Sequence, residues 1–247
     1  MKYKTLVLGA ALACAPFASS HALELTEDLS VQLEATLASD YRTRGISQTQ
    51  NDPAIQAAAT LQHSSGLYLG VWSSNVDFGY GLKTRQELDY YAGWYWQATD
   101  AVSLDLGYIQ YRYPKEGQFN QSEVYAVLNA YGFELASYYS KDITTYVGKD
   151  QSQLYSYVGY GFELPAGFQA KLRYGRNDAK DPLYLAGDGG TRSTYREWEA
   201  RLDREFAGID WSLSYIDTDL SQSECFNWQG FKDICTATVV ARATKRF

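Results

Sequence analysis

The chain has 247 residues, rich in aromatics and glycine (22 Tyr, 10 Phe, 6 Trp, 20 Gly), with a net charge of −7. An acidic chain without a basic run argues against a nucleic-acid-binding surface. A mean hydropathy of −0.38, with no later apolar run of the ~20 residues a spanning helix needs, argues against a helical membrane protein but not against a β-barrel, whose lumen and loops are polar.

The first residues read as a secretory signal peptide. Lys2 and Lys4 give the basic start, Leu6 to Ala15 a short apolar run, and Ser20, His21 and Ala22 a small-residue cleavage site. Cleavage is expected after Ala22, leaving 23–247 as one barrel domain. The apolar run is too short to anchor the chain, and the residues before Cys14 fit lipidation poorly. Removing Lys2 and Lys4 from the 22 basic residues leaves 20 against 29 acidic ones, a balance of −9.

From residue 30 the chain alternates between segments of two-residue period and polar connections. Twelve strands are expected, at 30–39, 53–62, 66–74, 86–97, 102–113, 123–131, 133–140, 153–162, 168–176, 194–206, 209–218 and 235–247. In the first, Val31, Leu33, Ala35 and Leu37 alternate with Gln32, Glu34 and Thr36. In the fourth, Leu88, Tyr90, Ala92, Trp94 and Trp96 oppose Glu87, Asp89 and Tyr91. The sixth has no clear phase, so its facing stays open. In the ninth and tenth, Lys171, Arg173, Glu197, Glu199, Arg201 and Asp203 share the polar side. The twelfth sets Val239, Ala241, Ala243 and Phe247 against Val240, Arg242 and Arg246 and ends on an aromatic.

The connections after even-numbered strands are short, such as Gly132 alone or Ala207-Gly208, and those after odd-numbered strands are long and polar. This alternation predicts an all-β, antiparallel, up-and-down transmembrane barrel with short periplasmic turns and long extracellular loops. A soluble barrel of lipocalin type would need its apolar face inward. Trp94, Trp96, Phe133, Phe162, Phe168, Phe206, Trp211 and Phe247 instead fall beside the short turns or at the C-terminus, as an interfacial girdle does. The expected partners are outer-membrane lipid and lipopolysaccharide, the barrel-assembly machinery through the strand ending in Phe247, and small polar solutes.

The polar faces line the lumen on this reading. Glu87, Asp89, Lys171, Arg173, Glu197, Glu199, Arg201 and Arg242 are the candidates for a charged constriction, or for salt-bridge ladders that stiffen the wall. Arg42 and Arg44 share the inward phase of the first strand near its mouth, with Gly45 permitting a turn. They read as an anion-steering pair or as an Asp40–arginine cluster that pins the first loop. Glu34 is expected to meet Arg242 across the closing seam. Twelve strands give a backbone radius of roughly 12 Å, so any water path is narrow.

Catalytic chemistry finds little support. The mature chain keeps one histidine, His63, in a short turn at the wrong end for an outer-membrane hydrolase. Asp178, Asp181 and Asp188 do not match a calcium loop and read as solvated acids. No cofactor and no metal is expected. Cys225 and Cys235 flank a long loop on an oxidising export route and are expected to form a disulfide.

Two stretches carry a family resemblance: Ser39-Asp40-Tyr41-Arg42-Thr43-Arg44-Gly45-Ile46-Ser47-Gln48, running on through Asn51-Asp52-Pro53-Ala54, and the segment from Ser65-Gly66-Leu67 to Ser74-Asn75-Val76. With Tyr111-Arg112-Tyr113-Pro114 and Ser122-Glu123-Val124-Tyr125, they resemble the TorF-type porin family of Gram-negative bacteria, also catalogued as Gcw_chp. The resemblance covers roughly the first half of the chain. It implies an outer-membrane porin-like channel for passive diffusion of small polar solutes or ions. The alternative is a closed barrel that acts through its loops in a structural, adhesive or ligand-binding role.

Overall fold

The computed structural model describes residues 22–144 and 151–247. The expected signal peptide, with Cys14, and part of the connection 141–152 lie outside the described residues. Twelve strands form the wall: β1 (Leu29–Ala38), β2 (Ala54–His63), β3 (Leu67–Asn75), β4 (Gln86–Thr99), β5 (Val102–Arg112), β6 (Gln121–Ala130), β7 (Phe133–Ile143), β8 (Gln151–Leu164), β9 (Phe168–Ala179), β10 (Thr194–Phe206), β11 (Ile209–Thr218) and β12 (Thr238–Arg246). Each pairs antiparallel with its sequence neighbour, and β12 pairs with β1, which closes the barrel. Closure leaves no unpaired edge, the condition for a sheet to sit in lipid.

The two-residue period decides which way each side chain points. Leu37, Ile55, Leu69, Leu135, Leu172, Leu213 and Val239 stand exposed on the outer face, while Gln32, Thr36, Gln56, Thr60, Gln62 and Ser214 are buried inside. The polarity is that of a barrel in a bilayer, inverted from a soluble one. In β6, Glu123 and Tyr125 point inward, and Val124 and Leu128 outward. Its phase is hard to read because Tyr125 is an inward aromatic and Ala126 and Ala130 are small outward residues.

The short connections are tight. Tyr131 and Gly132 have φ of 53° and 87°, and Ala207 and Gly208 have 56° and 69°, the paired positive values of a two-residue hairpin turn. Trp94, Trp96, Phe133, Phe162, Phe206, Trp211 and Phe247 are exposed near this end, as a belt at one height.

Inside, tyrosines lie on glycines of the next strand. A Cβ on Gly93 would come within 2.3 Å of the Tyr68 hydroxyl, one on Gly70 within 2.5 Å of the Tyr91 ring, and one on Gly107 within 2.4 Å of the Tyr125 ring. The missing side chains give the rings a seat, and the rings cover backbone that glycine would leave bare.

Two expectations need correction. Glu34 meets Arg246, not Arg242, with Arg246 Nε donating to Glu34 Oε2 at 3.0 Å. The register explains it: Phe247 N donates to Leu33 O, which sets Arg246 opposite Glu34 and Arg242 opposite Ala38. The connection read as an irregular loop after β11 also contains a helix, α1 (Gln222–Gln229). Ser221 and Glu224 form its capping box, and Gly230 closes it at φ 85°.

Candidate functional site

The lumen is crowded at the long-loop end by a small hairpin in the first loop. Arg42–Thr43 pairs with Ile46–Ser47, and Arg44 and Gly45 make the turn at φ 52° and 82°. A Cβ on Gly45 would lie 2.4 Å from Thr218 Cγ2, so the turn fits against the β11 wall only as glycine.

Arg42 is the pin of this loop. Its guanidinium donates to Asp40 Oδ2 at 2.6 Å, to the carbonyls of Gly45 at 2.9 Å and Thr236 at 2.8 Å, and to Asn51 Oδ1 at 2.7 Å. Asp40 Oδ1 in turn accepts from Ser47 Oγ at 2.5 Å and Thr49 Oγ1 at 3.1 Å. Four of its five N–H donors are spent on these contacts and the side chain is buried, which leaves Arg42 little to offer a solute. It does not continue the inward phase of β1, because β1 ends at Ala38 and the chain turns before Arg42. Of the two readings for this arginine pair, Arg42 takes the structural one.

Arg44 behaves differently. It reaches across the lumen, and its Nη2 donates to Glu123 Oε1 and Oε2 at 2.6 and 2.7 Å. Its guanidinium sits 4.6 Å from the Tyr155 ring centre and 5.8 Å from that of Tyr138, within cation–π range. Its carbonyl accepts from Tyr195 Oη at 3.0 Å. The hairpin is therefore a strut fixed at both ends.

The other luminal charges divide by wall. Arg173 bridges Glu197 at 3.3 Å and Glu199 at 3.1 Å. Arg201 pairs with Asp203 at 2.8 Å. Lys171 reaches over β8 to Glu134 on β7, at 2.7 Å. Arg242 makes no ion pair among the described residues and borders the same cavity as Arg173 and Arg201. Glu87 and Asp89 stand apart from all of these on β4, six strands from β10 in either direction around the ring. The structure thus brings Arg44, Asp89, Arg173, Glu199, Arg201 and Arg242 to one cavity, with Arg42 and Gly45 at its edge. Glu87, Lys171 and Glu197 lie outside its lining.

Of the inward tyrosines, sequence reasoning placed only Tyr91 by number. Tyr68, Tyr91, Tyr111, Tyr125, Tyr138 and Tyr155 pack with Trp72 as one cluster inside the β3 to β8 half. Their hydroxyls are spoken for: Tyr68 Oη lies 2.5 Å from Tyr125 Oη, Tyr111 donates to Glu123 at 2.9 Å, and Tyr155 donates to Glu197 at 2.5 Å. The inward phase of Tyr91 was legible, and the same phase on the neighbouring strands would have found the rest. What remains open between the tyrosines, the hairpin and the arginine wall is a cavity of about 60 Å³, room for a few waters.

Above the hairpin the long loops form a cap. Ile46, Tyr184, Tyr195, Leu220, Cys225, Ile234 and Cys235 are buried together. Cys225 is disulfide-bonded to Cys235 with a Cα–Cα distance of 6.0 Å. The neighbouring Ile234 carbonyl accepts from Ser47 N at 2.9 Å, so the bridged segment touches the hairpin directly. Arg192 Nε donates to Glu224 Oε1 at 2.6 Å. That hydrogen bond, partly offset by burial, raises the Arg192 pKa. Burial alone would raise the Glu224 carboxyl, but bonds from Arg192 and Ser221 hold it below the usual glutamate range.

His63 is exposed at the end of β2, where its ring Nδ1 lies within hydrogen-bond distance of Ser65 Oγ and N. Asp178 pairs with Arg176 at 2.9 Å. Among the described residues no group of three His, Cys, Asp or Glu is placed to hold a metal ion.

A family model described as "Bacterial protein of unknown function (Gcw_chp)" matches residues 24–247. No protein of curated function matches the sequence. Among solved structures, the fold is similar to a KdgM porin (TM-score 0.51, 7% identity, covering 87% of this chain and 98% of that one). It is also similar to a NanC porin (TM-score 0.51, 10% identity, covering 86% and 97%). At these identities the likeness concerns the fold, a porin-like barrel of the outer-membrane type.

Proposed function

We propose that this chain, which belongs to the Gcw_chp family, is a narrow outer-membrane channel for passive diffusion of small polar solutes or ions. The carrying observation is the inverted polarity of a closed barrel: an apolar outer face around a charged interior that holds a water-sized cavity. Both structural relatives named above are called porins, which supports the same reading. The short-turn end faces the periplasm and the long loops face outward, with the signal peptide directing export. Such a channel works by a water path and wall charge, with neither a catalytic group nor energy input. Arg44 and the β9, β10 and β12 arginines form the constriction, and Arg42 holds the hairpin that narrows it.

A closed barrel acting through its loops is the second reading. The tyrosine packing of half the lumen and the disulfide-linked cap favour it. Proteoliposomes containing the folded protein separate the two. Dissipation of a potassium chloride gradient, absent from empty vesicles, supports the channel. Vesicles that stay tight despite confirmed insertion favour the closed barrel.

A further inference from the structure

Eight carboxylates are buried among the described residues, and six of them have a basic partner within 3.3 Å. Asp40 has Arg42, Glu123 has Arg44, Glu134 has Lys171, Glu197 and Glu199 share Arg173, and Glu224 has Arg192. Glu87 and Asp89 have no basic partner among the described residues. They lie two residues apart on β4, so both point into the lumen.

The ladder places more oxygen beside them. Ser74 is opposite Glu87, and Gln56 is opposite Ser74, so three adjacent strands present these side chains in one row. Glu87 Oε2, Asp89 Oδ1 and Gln56 Oε1 are each buried without a hydrogen-bond partner. The other partners of Glu87 are uncharged or acidic: the hydroxyls of Tyr41, at 3.4 Å, and Tyr113, and the neighbouring Asp89 carboxyl. Asp89 and Gln56 border the luminal cavity.

Two adjacent buried carboxylates without counter-charge each carry a desolvation penalty of several kcal/mol. The molecule matches every other buried acid with a base, whereas for this pair, hydrogen-bonded to each other, the missing positive charge is either a shared proton or a bound cation. Three oxygens are left vacant, two of carboxyls and one of an amide, and two of them, on Asp89 and Gln56, belong to side chains that border a space of water size. Hard oxygen donors take small hard cations.

We propose that Glu87, Asp89 and Gln56 form a cation site in the lumen, for a small monovalent cation or a primary ammonium group, and that it makes the channel prefer cations. The inference rests on the channel reading for its functional consequence, though not for the site itself. Of the five arginines that border the cavity, Arg173, Arg201 and Arg242 lie on strands away from β4, and Arg42 and Arg44 are neutralised by Asp40 and Glu123, so a cation entering the cavity has one wall that attracts it.

The test uses the folded full-length mature protein in planar bilayers at neutral pH, under a potassium chloride gradient, with the Glu87→Gln/Asp89→Asn double variant beside it. Both changes are isosteric and remove only charge. The wild type is expected to favour potassium over chloride, and the double variant to lose about threefold or more of that preference. Repeating the gradient with methylammonium chloride reports whether a primary ammonium group shares the site. Gln56→Leu, which changes no charge, is expected to weaken the preference in the same direction. Equal selectivity in wild type and double variant would overturn the proposal.

If the protein does not conduct, the channel reading fails but the site remains testable. The unfolding temperature, read by heat-modifiable gel migration, is then compared in potassium chloride and choline chloride at equal ionic strength. A rise with potassium in the wild type, absent from the double variant, supports the site. No difference between the salts overturns it.

Discussion

Arg44 and Glu123 are 79 residues apart in sequence and joined across the lumen by two hydrogen bonds of 2.6 and 2.7 Å. One comes from a loop tip and the other from the start of β6. This contact turns a surface loop into a strut across the lumen. The side chains are 14% and 1% exposed, so solvent screens the pair little.

Cutting the strut frees the hairpin tip. Arg44→Ala leaves Glu123 buried without a counter-charge, keeping only the Tyr111 hydroxyl, a change that costs ~3–5 kcal/mol in comparable buried pairs. The barrel wall keeps its ladders, so the expected loss is local. Single-channel conductance is expected to rise in Arg44→Ala, and to rise further when Glu123→Gln removes the charge left behind. Unchanged conductance in both would show that the hairpin does not limit the path.

The glycine seats make a stability prediction. In Gly93→Ala the new methyl must displace the Tyr68 ring, whose hydroxyl would lie 2.3 Å away. Overpacking of this kind costs ~1–3 kcal/mol. Gly81→Ala is the comparison, because nothing lies within 4 Å of a Cβ there, although its φ of 73° adds backbone strain of its own. Urea unfolding followed by tryptophan fluorescence is expected to show the larger loss at Gly93.

The disulfide closes a segment of ten residues' separation, for which chain-entropy arguments give ~2–3 kcal/mol. Because the bridged segment bonds Ser47 of the hairpin, its loss reaches the lumen. Cys225→Ser is expected to make the connection 219–237 sensitive to limited proteolysis and to broaden open-channel current noise. The strands themselves are expected to remain protease-resistant.

Acid acts on the cap through Glu224. Its carboxyl is held below the usual glutamate range in the folded protein. Its contribution is therefore fully present above the unfolded glutamate pKa and is lost as pH falls through the lower, folded value. Protection factors of the α1 amides, exchange rates corrected for the intrinsic rate at each pH, are expected to fall over that acidic window in the wild type. Glu224→Gln is expected to exchange faster at neutral pH and to show a flatter response to acid.

The wall was legible in the sequence because its rule is local. Leu37 faces lipid and Thr36 faces the lumen by alternation alone, and Ala207-Gly208 can only be a turn. The expected tenth and eleventh strands agree with β10 and β11 at both ends. The mouth was less legible because its contacts are remote in sequence. Nothing near Arg44 points to Glu123. The inward phase extended from β1 to Arg42 fails because phase is lost where a strand ends. The helix α1 did leave a trace, Ser221 and Glu224 at capping-box spacing with Gly230 beyond. An acidic, polar stretch hid it, since its burial comes from the cap above rather than from an apolar stripe. Glu87 and Asp89 were legible as inward charges, but their lack of a base is visible only once every other acid is seen with one.

The central claim is that water and small solutes cross the membrane through this lumen, and single-channel recording tests it most directly. The mature chain, shown to be folded by heat-modifiable migration, is inserted into planar bilayers in potassium chloride. Discrete, small, reproducible conductance steps are predicted, in keeping with a luminal cavity that holds only a few waters. Confirmed insertion with no steps, in the wild type and in Arg44→Ala alike, would contradict the channel and leave a closed barrel.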